Sequence, residues 1–483
     1  MRPDYSISGE HPGRRRGRLA TAIVPQEPTI AALRCPRRYD VSLDVSKGIQ
    51  KVVILLDYMR ENGKRAPRRV VITGIGAVTP IGIGVNDFWS ALLAGKSGIR
   101  HITSFDASNL PSQVAGEVHN FHVREFVRHG RKPPTARFSA FAVAAARLAV
   151  DHAKLPRNGG RVGVCIGSSV QGNADIGEGA FARFQERGWQ SLGTGPSLEV
   201  TAHSASSYVQ GELQVAGPLM TIASACCTGV DAIAWGTDQI RSGAADAAIV
   251  GAAEAPLSQF TFGLFSASGF LSTWGGPAAE ASRPYDRQRT GLVLSEAAGV
   301  LVLEDFEHAE SRGAEIFGEI LGYASFAEEA TIRDPHDRYA FALQQTIIAA
   351  VERSQLQPRD IDYICAHGNS TKFDDEAEAA AHRKTFAEHA YSLAVSSIKS
   401  MIGQPFSAGG VLQVVAATLA SYHNVVPPTI NLTTPDPKCD LDYVPNKPRS
   451  ARVNHALVHS HSLGGHVPGS HSALVIGASR HIR

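Results

Sequence analysis

A chain of 483 residues is long enough for two or three domains, or for one large fold built from two halves. Its apolar content of 43% supports a full hydrophobic core, and its formal net charge of only +2 gives no nucleic-acid or membrane-surface signature. No apolar run reaches the length of a membrane-spanning helix. The composition therefore favours a large globular protein that binds neither nucleic acid nor membrane.

The six cysteines are scattered along the chain and contain no Cys-x-x-Cys pair. Such spacing predicts neither a disulfide framework nor a metal site. Scattered thiols in a long chain are typical of a reducing compartment, so we expect a cytoplasmic location.

Residues 1–68 differ from the rest of the chain because they are basic and interrupted by prolines. No apolar segment follows the arginines at positions 14–16, as a secretory signal would require. We therefore predict a disordered extension, with a targeting or interaction arm as the alternative.

Strand-like and helical patterns alternate from residue 69 onwards, which predicts an α/β fold. This alternation of strands and helices repeats along the chain, which predicts two similar halves at residues 69–318 and 319–480. The strand-like runs are residues 70–76, 161–166, 247–250, 300–303, 362–366, 394–397, 456–458 and 473–476.

The stretch at residues 221–229 (TIASACCTG) places a thiol between a strand-like approach and a helical pattern that begins near Val230. A cysteine at the N-terminus of a helix is favoured as a thiolate, and small neighbours leave room for a substrate. From this stretch alone, Cys226 is either a nucleophile or a buried structural cysteine.

Other polar groups follow predicted strands: His367, Lys399, Gln404 and a Gly464-Gly465 loop. Ligands and catalytic groups gather at the carboxyl ends of strands in α/β folds. Together with Cys226, these residues predict an active site.

Six spaced motifs identify a family. They are VVITGIG at 70–76, ASAC at 223–226, RPYD at 283–286, AHGNST at 366–371, KSM at 399–401 and PPTINL at 427–432. In this order they resemble the β-ketoacyl-acyl-carrier-protein synthases of the elongating, type II fatty-acid or polyketide kind, over roughly residues 69–478. The resemblance implies a thiolase-type fold, with two similar α/β halves in an αβαβα arrangement.

The resemblance also implies roles for site residues. Cys226 matches the nucleophile that holds the acyl chain, and His367 matches the first catalytic histidine. Lys399 matches the motif lysine, which supports the site, and Glu378 matches a carboxylate near it.

Further positions match substrate contacts. Thr371 and Asn369 match the family's pantetheine contacts, although Asn369 is an amide where a hydroxyl is usual. Val170 and Phe265 match the lining of the acyl tunnel, with plain core packing as the alternative. The backbone N–H groups of Cys226 and Leu463 would form the oxyanion hole.

The chain departs from the family pattern in two places. Gln404 replaces the second catalytic histidine, and His461 and Leu463 replace two phenylalanines of the gating loop that includes Gly464 and Gly465. A glutamine amide offers N–H donors to an enolate, as a neutral imidazole does, but it cannot titrate near neutral pH.

We therefore predict decarboxylative condensation of an acyl group on Cys226 with malonyl-acyl-carrier protein. The expected partners are an acyl carrier protein and, in a homodimer or heterodimer, a second ketosynthase-like chain; no cofactor or metal is expected. An acyltransferase without condensation and a non-catalytic, chain-length-type partner subunit are the alternatives. Thiolase is disfavoured because Cys439 lies in a Pro/Asp-rich loop.

Overall fold

A computed structural model describes residues 68–156, 160–462 and 468–481 of the protein. The strands in these ranges are β1 (Val70–Thr79), β2 (Gly82–Ile83), β3 (Ile99–His101), β4 (Val114–Gly116), β5 (Val162–Gly167), β6 (Leu219–Met220), β7 (Ala247–Glu254), β8 (Ala297–Asp305), β9 (Gly318–Ala327), β10 (Tyr363–Cys365), β11 (Ala394–Ser396), β12 (Val425–Val426), β13 (Arg449–Ser450), β14 (His455–His461) and β15 (Ser470–Ala478). The α-helices are α1 (Val85–Leu93), α2 (Arg137–Ala153), α3 (Ile176–Arg187), α4 (Gly195–Glu199), α5 (His203–Leu213), α6 (Thr228–Arg241), α7 (Gln259–Ala267), α8 (Phe306–Ser311), α9 (Pro335–Arg353), α10 (Lys372–Phe386), α11 (Lys399–Ile402) and α12 (Phe406–His423).

Ten strands form one continuous path, in the order β6-β5-β7-β8-β1-β9-β15-β14-β10-β11. Five belong to each half of the chain, and both halves arrange them alike. If the five strands of each half are numbered by their order in the chain, they lie in the order third, second, fourth, fifth, first, counted from the outer edge of the sheet. From that edge, the first two pairs of neighbouring strands are parallel and the next two pairs are antiparallel. The repeated topology confirms the predicted thiolase-type fold.

The helices complete five layers. Helices α6 and α12 pack together in the centre, against strands of both halves. Helices α2 and α5 cover the outer face of the first half, and α9 covers that of the second. Helix α10 packs on α9 and shares an apolar cluster with β10, β11 and β14. The central position explains why α12 is buried along nearly its whole length, since both of its faces meet protein.

Two glycines of β1 allow a helix to approach the sheet closely. A Cβ atom on Gly76 would lie 1.9 Å from the carbonyl oxygen of Ala145, and one on Gly74 would lie 2.3 Å from that of Ala149. No larger residue fits at either position, so the glycines of the VVITGIG motif are required for α2 to pack on β1.

The predicted strands of the sheet are confirmed, but the approach to Cys226 differs from expectation. Only Leu219–Met220 forms a strand there, because Ser206 takes the Met220 carbonyl oxygen at 2.8 Å and ends the ladder. The following helix begins at Thr228 rather than near Val230. The expected extension at 1–68 lies, except for its last residue, outside the described residues, and the division at 318/319 stays a prediction.

Candidate active site

Cys226 lies in a single turn of 3₁₀-helix, Ala225–Cys227, directly before α6. It is buried, and Ala225 in front of it adopts a left-handed φ of 52°. Such strained backbone is concentrated at functional sites, where the surrounding structure holds it in place. The turn presents the sulfur at the N-terminal end of a 14-residue helix, where the helix dipole favours a thiolate.

The Gln404 side chain is a polar group placed against this sulfur. Its Nε2 lies 3.4 Å from Cys226 Sγ, within hydrogen-bonding distance of a sulfur acceptor. The backbone of Gln404 is fixed on both sides, since its N–H donates to the Val293 carbonyl at 2.7 Å and its own carbonyl accepts from Ser295 at 3.2 Å. The glutamine therefore occupies a defined place beside the nucleophile.

His367 is buried, and its tautomer is set by the backbone. The His461 N–H donates to His367 Nδ1 at 3.3 Å, so the proton of the neutral ring is on Nε2. Burial, assisted by the nearby Lys399 charge, holds the pKa of His367 well below its usual range. His367 is thus a neutral hydrogen-bond donor at physiological pH.

Lys399, at the start of α11, is also buried and is held at two points. Its Nζ donates to the His367 carbonyl at 2.6 Å and to Gln413 Oε1 at 3.0 Å. Burial lowers the pKa of Lys399 to about 8, against opposing effects of Cys226 and Glu378. The ammonium group therefore supports the segment that carries His367.

Gln413 was not predicted from the sequence. Its Nε2 donates to three backbone carbonyls, those of Cys365 at 3.0 Å, Ala366 at 2.7 Å and His459 at 3.0 Å. Its Oε1 accepts from Lys399. One buried amide thus joins α12 to β10, β14 and the lysine; a lone glutamine in an apolar helix gives no motif that would have revealed it.

Glu378 lies on α10, fully buried, where it accepts hydrogen bonds from Tyr285 Oη and from the Gly368 N–H at 3.0 Å. Burial raises the pKa of Glu378 to about 8. The carboxyl group holds the glycine that follows His367 and so fixes the turn after β10.

Asn369 and Thr371 build the N-terminus of α10. Thr371 Oγ1 accepts from the Asp374 N–H at 3.1 Å as the helix cap, and Asn369 Oδ1 accepts from the Thr371 N–H at 3.0 Å. The Asn369 amide nitrogen donates to the Asp374 carboxylate. Both side chains have a structural task, and their contact with pantetheine remains a prediction.

His461, predicted in the gating loop, is the last residue of β14. Its side chain is buried, with Nε2 3.3 Å from Glu328 Oε1, and its ring lies 6.0 Å from that of His367 between centroids. The other three predicted loop residues, Leu463, Gly464 and Gly465, lie outside the described residues.

The two predicted tunnel residues share an apolar cluster with the nucleophile. Val170 and Phe265 are partly buried against the group that contains Cys226, and the Phe265 ring lies 4.9 Å from that of Phe406. The other members of this cluster are Ile102, Phe105, Leu110, Ala115, Leu257, Phe262, Leu271, Leu292 and Leu294. The neighbourhood of the thiol is thus largely hydrocarbon, which suits an acyl chain.

Two other cysteines have structural surroundings. The Cys227 thiol donates to the carbonyls of Ser460 at 3.5 Å and Ser470 at 3.3 Å, and burial raises its pKa far above the usual range. Cys439 Sγ donates to the Asp375 carbonyl at 3.6 Å, and burial likewise raises its pKa. Both remain thiols at physiological pH.

Comparison with known families identifies the family to which the chain belongs. Residues 67–309 match the family described as beta-ketoacyl synthase, N-terminal domain, and residues 317–433 match beta-ketoacyl synthase, C-terminal domain. The chain belongs to the β-ketoacyl synthase family. The family resemblance read from the motifs is thereby confirmed.

Curated relatives include two kinds of β-ketoacyl synthase. The chain is 39% identical over 409 residues to 3-oxoacyl-[acyl-carrier-protein] synthase 2 of Coxiella burnetii, a match that covers 82% of this chain and 96% of the relative. It is 37% identical over 432 residues to the tetracenomycin polyketide synthase ketoacyl synthase alpha subunit of Streptomyces glaucescens, which covers 87% and 99%. Both matches place the chain among acyltransferases of the 3-oxoacyl synthase class.

Solved structures of β-ketoacyl synthases share the fold. One is a type II polyketide acyl-carrier protein in complex with its ketosynthase bound to the hexaketide, with a TM-score of 0.78, 32% identity, and coverage of 86% of this chain and 100% of that one. Another is the ishigamide ketosynthase/chain length factor, with a TM-score of 0.77 and the same identity and coverage.

Proposed function

We propose that this β-ketoacyl synthase joins an acyl group on Cys226 to malonyl-acyl-carrier protein, releasing carbon dioxide and giving 3-oxoacyl-carrier protein. The observation that carries the proposal is the contact of Gln404 Nε2 with Cys226 Sγ at 3.4 Å. A donor lies where the family usually has its second histidine, so the change preserves a hydrogen-bonding function.

In the loading step the Cys226 thiolate attacks the carbonyl carbon of an acyl thioester. The new sulfur–carbon bond forms as the bond to the carrier thiol breaks, and the carrier thiolate leaves and takes up a proton. The helix end before which Cys226 lies favours the thiolate that this attack requires.

In the condensing step the malonyl carboxylate leaves as carbon dioxide, and the electron pair passes to the enolate. His367 Nε2–H and the second N–H of the Gln404 amide are the donors that stabilise the enolate oxygen. The nucleophilic carbon then attacks the acyl-Cys226 carbonyl, and cleavage of the thioester returns the thiolate. Neither donor has to titrate in this sequence, which suits a neutral histidine and an amide.

Substrate contacts and gating follow the same proposal. Thr371 and Asn369 would meet the pantetheine arm of the carrier protein, while Val170 and Phe265 line the acyl site. The backbone N–H groups of Leu463 and Cys226 would form the oxyanion hole, and Gly464, Gly465 and His461 would take part in gating. Glu378 and Lys399 hold the His367 segment. The substrates arrive on phosphopantetheine, and no further cofactor is needed.

A second ketosynthase-like chain is the proposed partner at the free edge of the sheet. Strand β6 ends the sheet, and both of its side chains, Leu219 and Met220, are 44% exposed. Other large exposed apolar side chains in the same half of the chain are Phe181, Trp189, Leu198, Phe260 and Leu264. An apolar edge of this kind is normally covered by another chain. A homodimer and a heterodimer are distinguished by the mass of the purified particle.

Among the residues that the structure describes, no helix is both long enough and apolar enough to cross a membrane. The five described cysteines form no disulfide. The proposed location is the cytoplasm, the reducing compartment in which a long chain with scattered thiols is typically found.

The reaction is tested by intact-mass analysis after the enzyme is mixed with acyl- and malonyl-carrier proteins. We expect an acyl adduct on Cys226 and a 3-oxoacyl-carrier protein longer by two carbons. An acylated enzyme with unconsumed malonyl-carrier protein would instead show an acyltransferase. No adduct across a series of chain lengths would show a non-catalytic partner subunit.

A further inference from the structure

Three buried side chains converge between α10 and β14, behind the active site. Glu378 and His382 lie one turn apart on α10, and His459 faces them from β14. His382 Nε2 lies 2.9 Å from His459 Nε2, which lies 3.8 Å from Glu378 Oε2. One nitrogen or oxygen of each residue lies within 4.8 Å of the others. Two imidazoles and a carboxylate thus face a common point.

The donor set is one that binds borderline divalent ions. Imidazole nitrogen and carboxylate oxygen bind Zn²⁺ at about 2.0–2.2 Å, so the ligand atoms of a tetrahedral site lie about 3.3–3.5 Å apart. The separations of 2.9 and 3.8 Å bracket that value. Burial holds the pKa of both histidines below the usual range, so both rings are neutral and can act as ligands.

The carboxyl group of this cluster is hydrogen-bonded by Tyr285 and Gly368 rather than paired with a basic side chain. Within the described ranges, no lysine or arginine nitrogen lies within 4.0 Å of the Glu378 carboxylate. In the same part of the chain, Nδ1 of His382 and Nδ1 of His459 have no hydrogen-bond partner. Burial raises the pKa of Glu378 to about 8, so a cation that binds between the carboxyl group and the two neutral rings would take the place of its proton.

A second buried group shows the contrast. Glu328 lies 3.3 Å from Nε2 of both His461 and His471, but Arg338 Nε also donates to it at 2.9 Å. The Gly469 N–H donates to the same carboxylate at 3.1 Å. Arg338 balances the charge of the Glu328 carboxylate, so this second group requires no metal ion.

We propose that Glu378, His382 and His459 form a site for a first-row divalent cation, Zn²⁺ in the first instance. The two Nε2 atoms and the carboxylate are the protein ligands, and a fourth position is left for water or another small ligand. The ion joins α10 to β14, the strand whose His461 N–H holds His367. Its role is structural, and it does not depend on the proposed reaction.

The probe is Co²⁺, added to chelator-treated full-length protein and followed by its visible absorption. We expect one equivalent to bind with the strong bands of a four-coordinate site, and Zn²⁺ to displace it. His382→Asn should weaken binding by about 100-fold or more, since it removes a ligand. His471→Asn, a buried histidine of the balanced group, is the matched control and should leave the stoichiometry unchanged.

X-ray absorption of the Zn²⁺-loaded wild-type chain is a second measurement that needs no variant to fold. We expect a nitrogen and oxygen shell with the scattering of two imidazoles. A shell containing sulfur would place the ion on a cysteine and overturn the proposal. Equal Co²⁺ affinity in wild type and His382→Asn, or no stoichiometric binding by wild type, would also overturn it.

Discussion

The side-chain nitrogen of Gln404 lies 3.4 Å from the sulfur of Cys226, so an amide is a direct polar neighbour of the nucleophile. An amide nitrogen has two hydrogens, and one of them is enough for the sulfur. The other hydrogen is available to a substrate oxygen, so Gln404 can act as a hydrogen-bond donor without transferring a proton.

Replacing Gln404 by leucine keeps the approximate size of the side chain but removes both donors. We expect condensation to slow by about 10²–10³-fold, the usual loss for one oxyanion donor, with acyl loading unchanged. Single-turnover mass analysis of each step measures the two rates. Gln404→His is the companion variant and should also leave loading intact; a block in loading by either variant would contradict this division of roles.

Cys226→Ala should abolish acyl loading because it removes the attacking sulfur. Cys227→Ala is the matched control, since the neighbouring thiol only donates to two carbonyls. Intact mass after incubation with acyl-carrier protein distinguishes them. Loading retained by Cys226→Ala, or lost in a folded Cys227→Ala, would assign the nucleophile to the other cysteine.

Gln413→Leu should destabilise the fold by about 3–5 kcal/mol, because it leaves buried carbonyls and the Lys399 ammonium without their partner. Chemical denaturation measures the free energy of unfolding. Gln344→Leu removes a single exposed bond to the Lys384 carbonyl and should change stability by no more than about 0.5 kcal/mol. Similar losses of unfolding free energy in the two variants would contradict the structural role assigned to Gln413.

The lowered pKa of Lys399 predicts that its contribution to the free energy of unfolding changes with pH. Its pKa is about 8 in the folded chain and 10.5 when exposed, so between these values the unfolded chain binds a proton that the folded chain does not. The stability of the wild type should therefore rise with pH relative to Lys399→Met. Between pH about 7.5 and about 9.5 the gain should be about 2 kcal/mol. Parallel denaturation of both chains checks it, and a difference that stays constant with pH would place the lysine in contact with water.

Sequence patterns located eight of the ten strands of the sheet path, because nearly continuous apolar runs are characteristic of sheets buried on both faces. Strand β9, in which buried and half-buried residues alternate, was not predicted. Cys226, His367, Lys399 and Gln404 were recognisable because they lie near the ends of predicted strands and match positions of the family motifs. The structure brings Gln404 to Cys226 and Lys399 to the segment of His367.

Contacts that depend on tertiary packing were not predictable. Gln413 lies in the middle of an apolar helix, and its importance comes from contacts with Lys399 and with three backbone carbonyls that are distant in the sequence. The convergence of His382 with His459 joins residues 77 positions apart and has no ligand spacing in the sequence. The short strand β6 depended on the Ser206 hydroxyl, which competes with a sheet partner.

The repeated strand order has a consequence for how the chain can be divided. Residues 312–317 connect α8 to β9 and belong to neither element, so cleavage there would interrupt no strand or helix. Each fragment would nevertheless lose the partner of its central helix, since α6 and α12 cover each other. Two separately translated polypeptides would consequently be insoluble alone and would reconstitute a complete enzyme only when produced together.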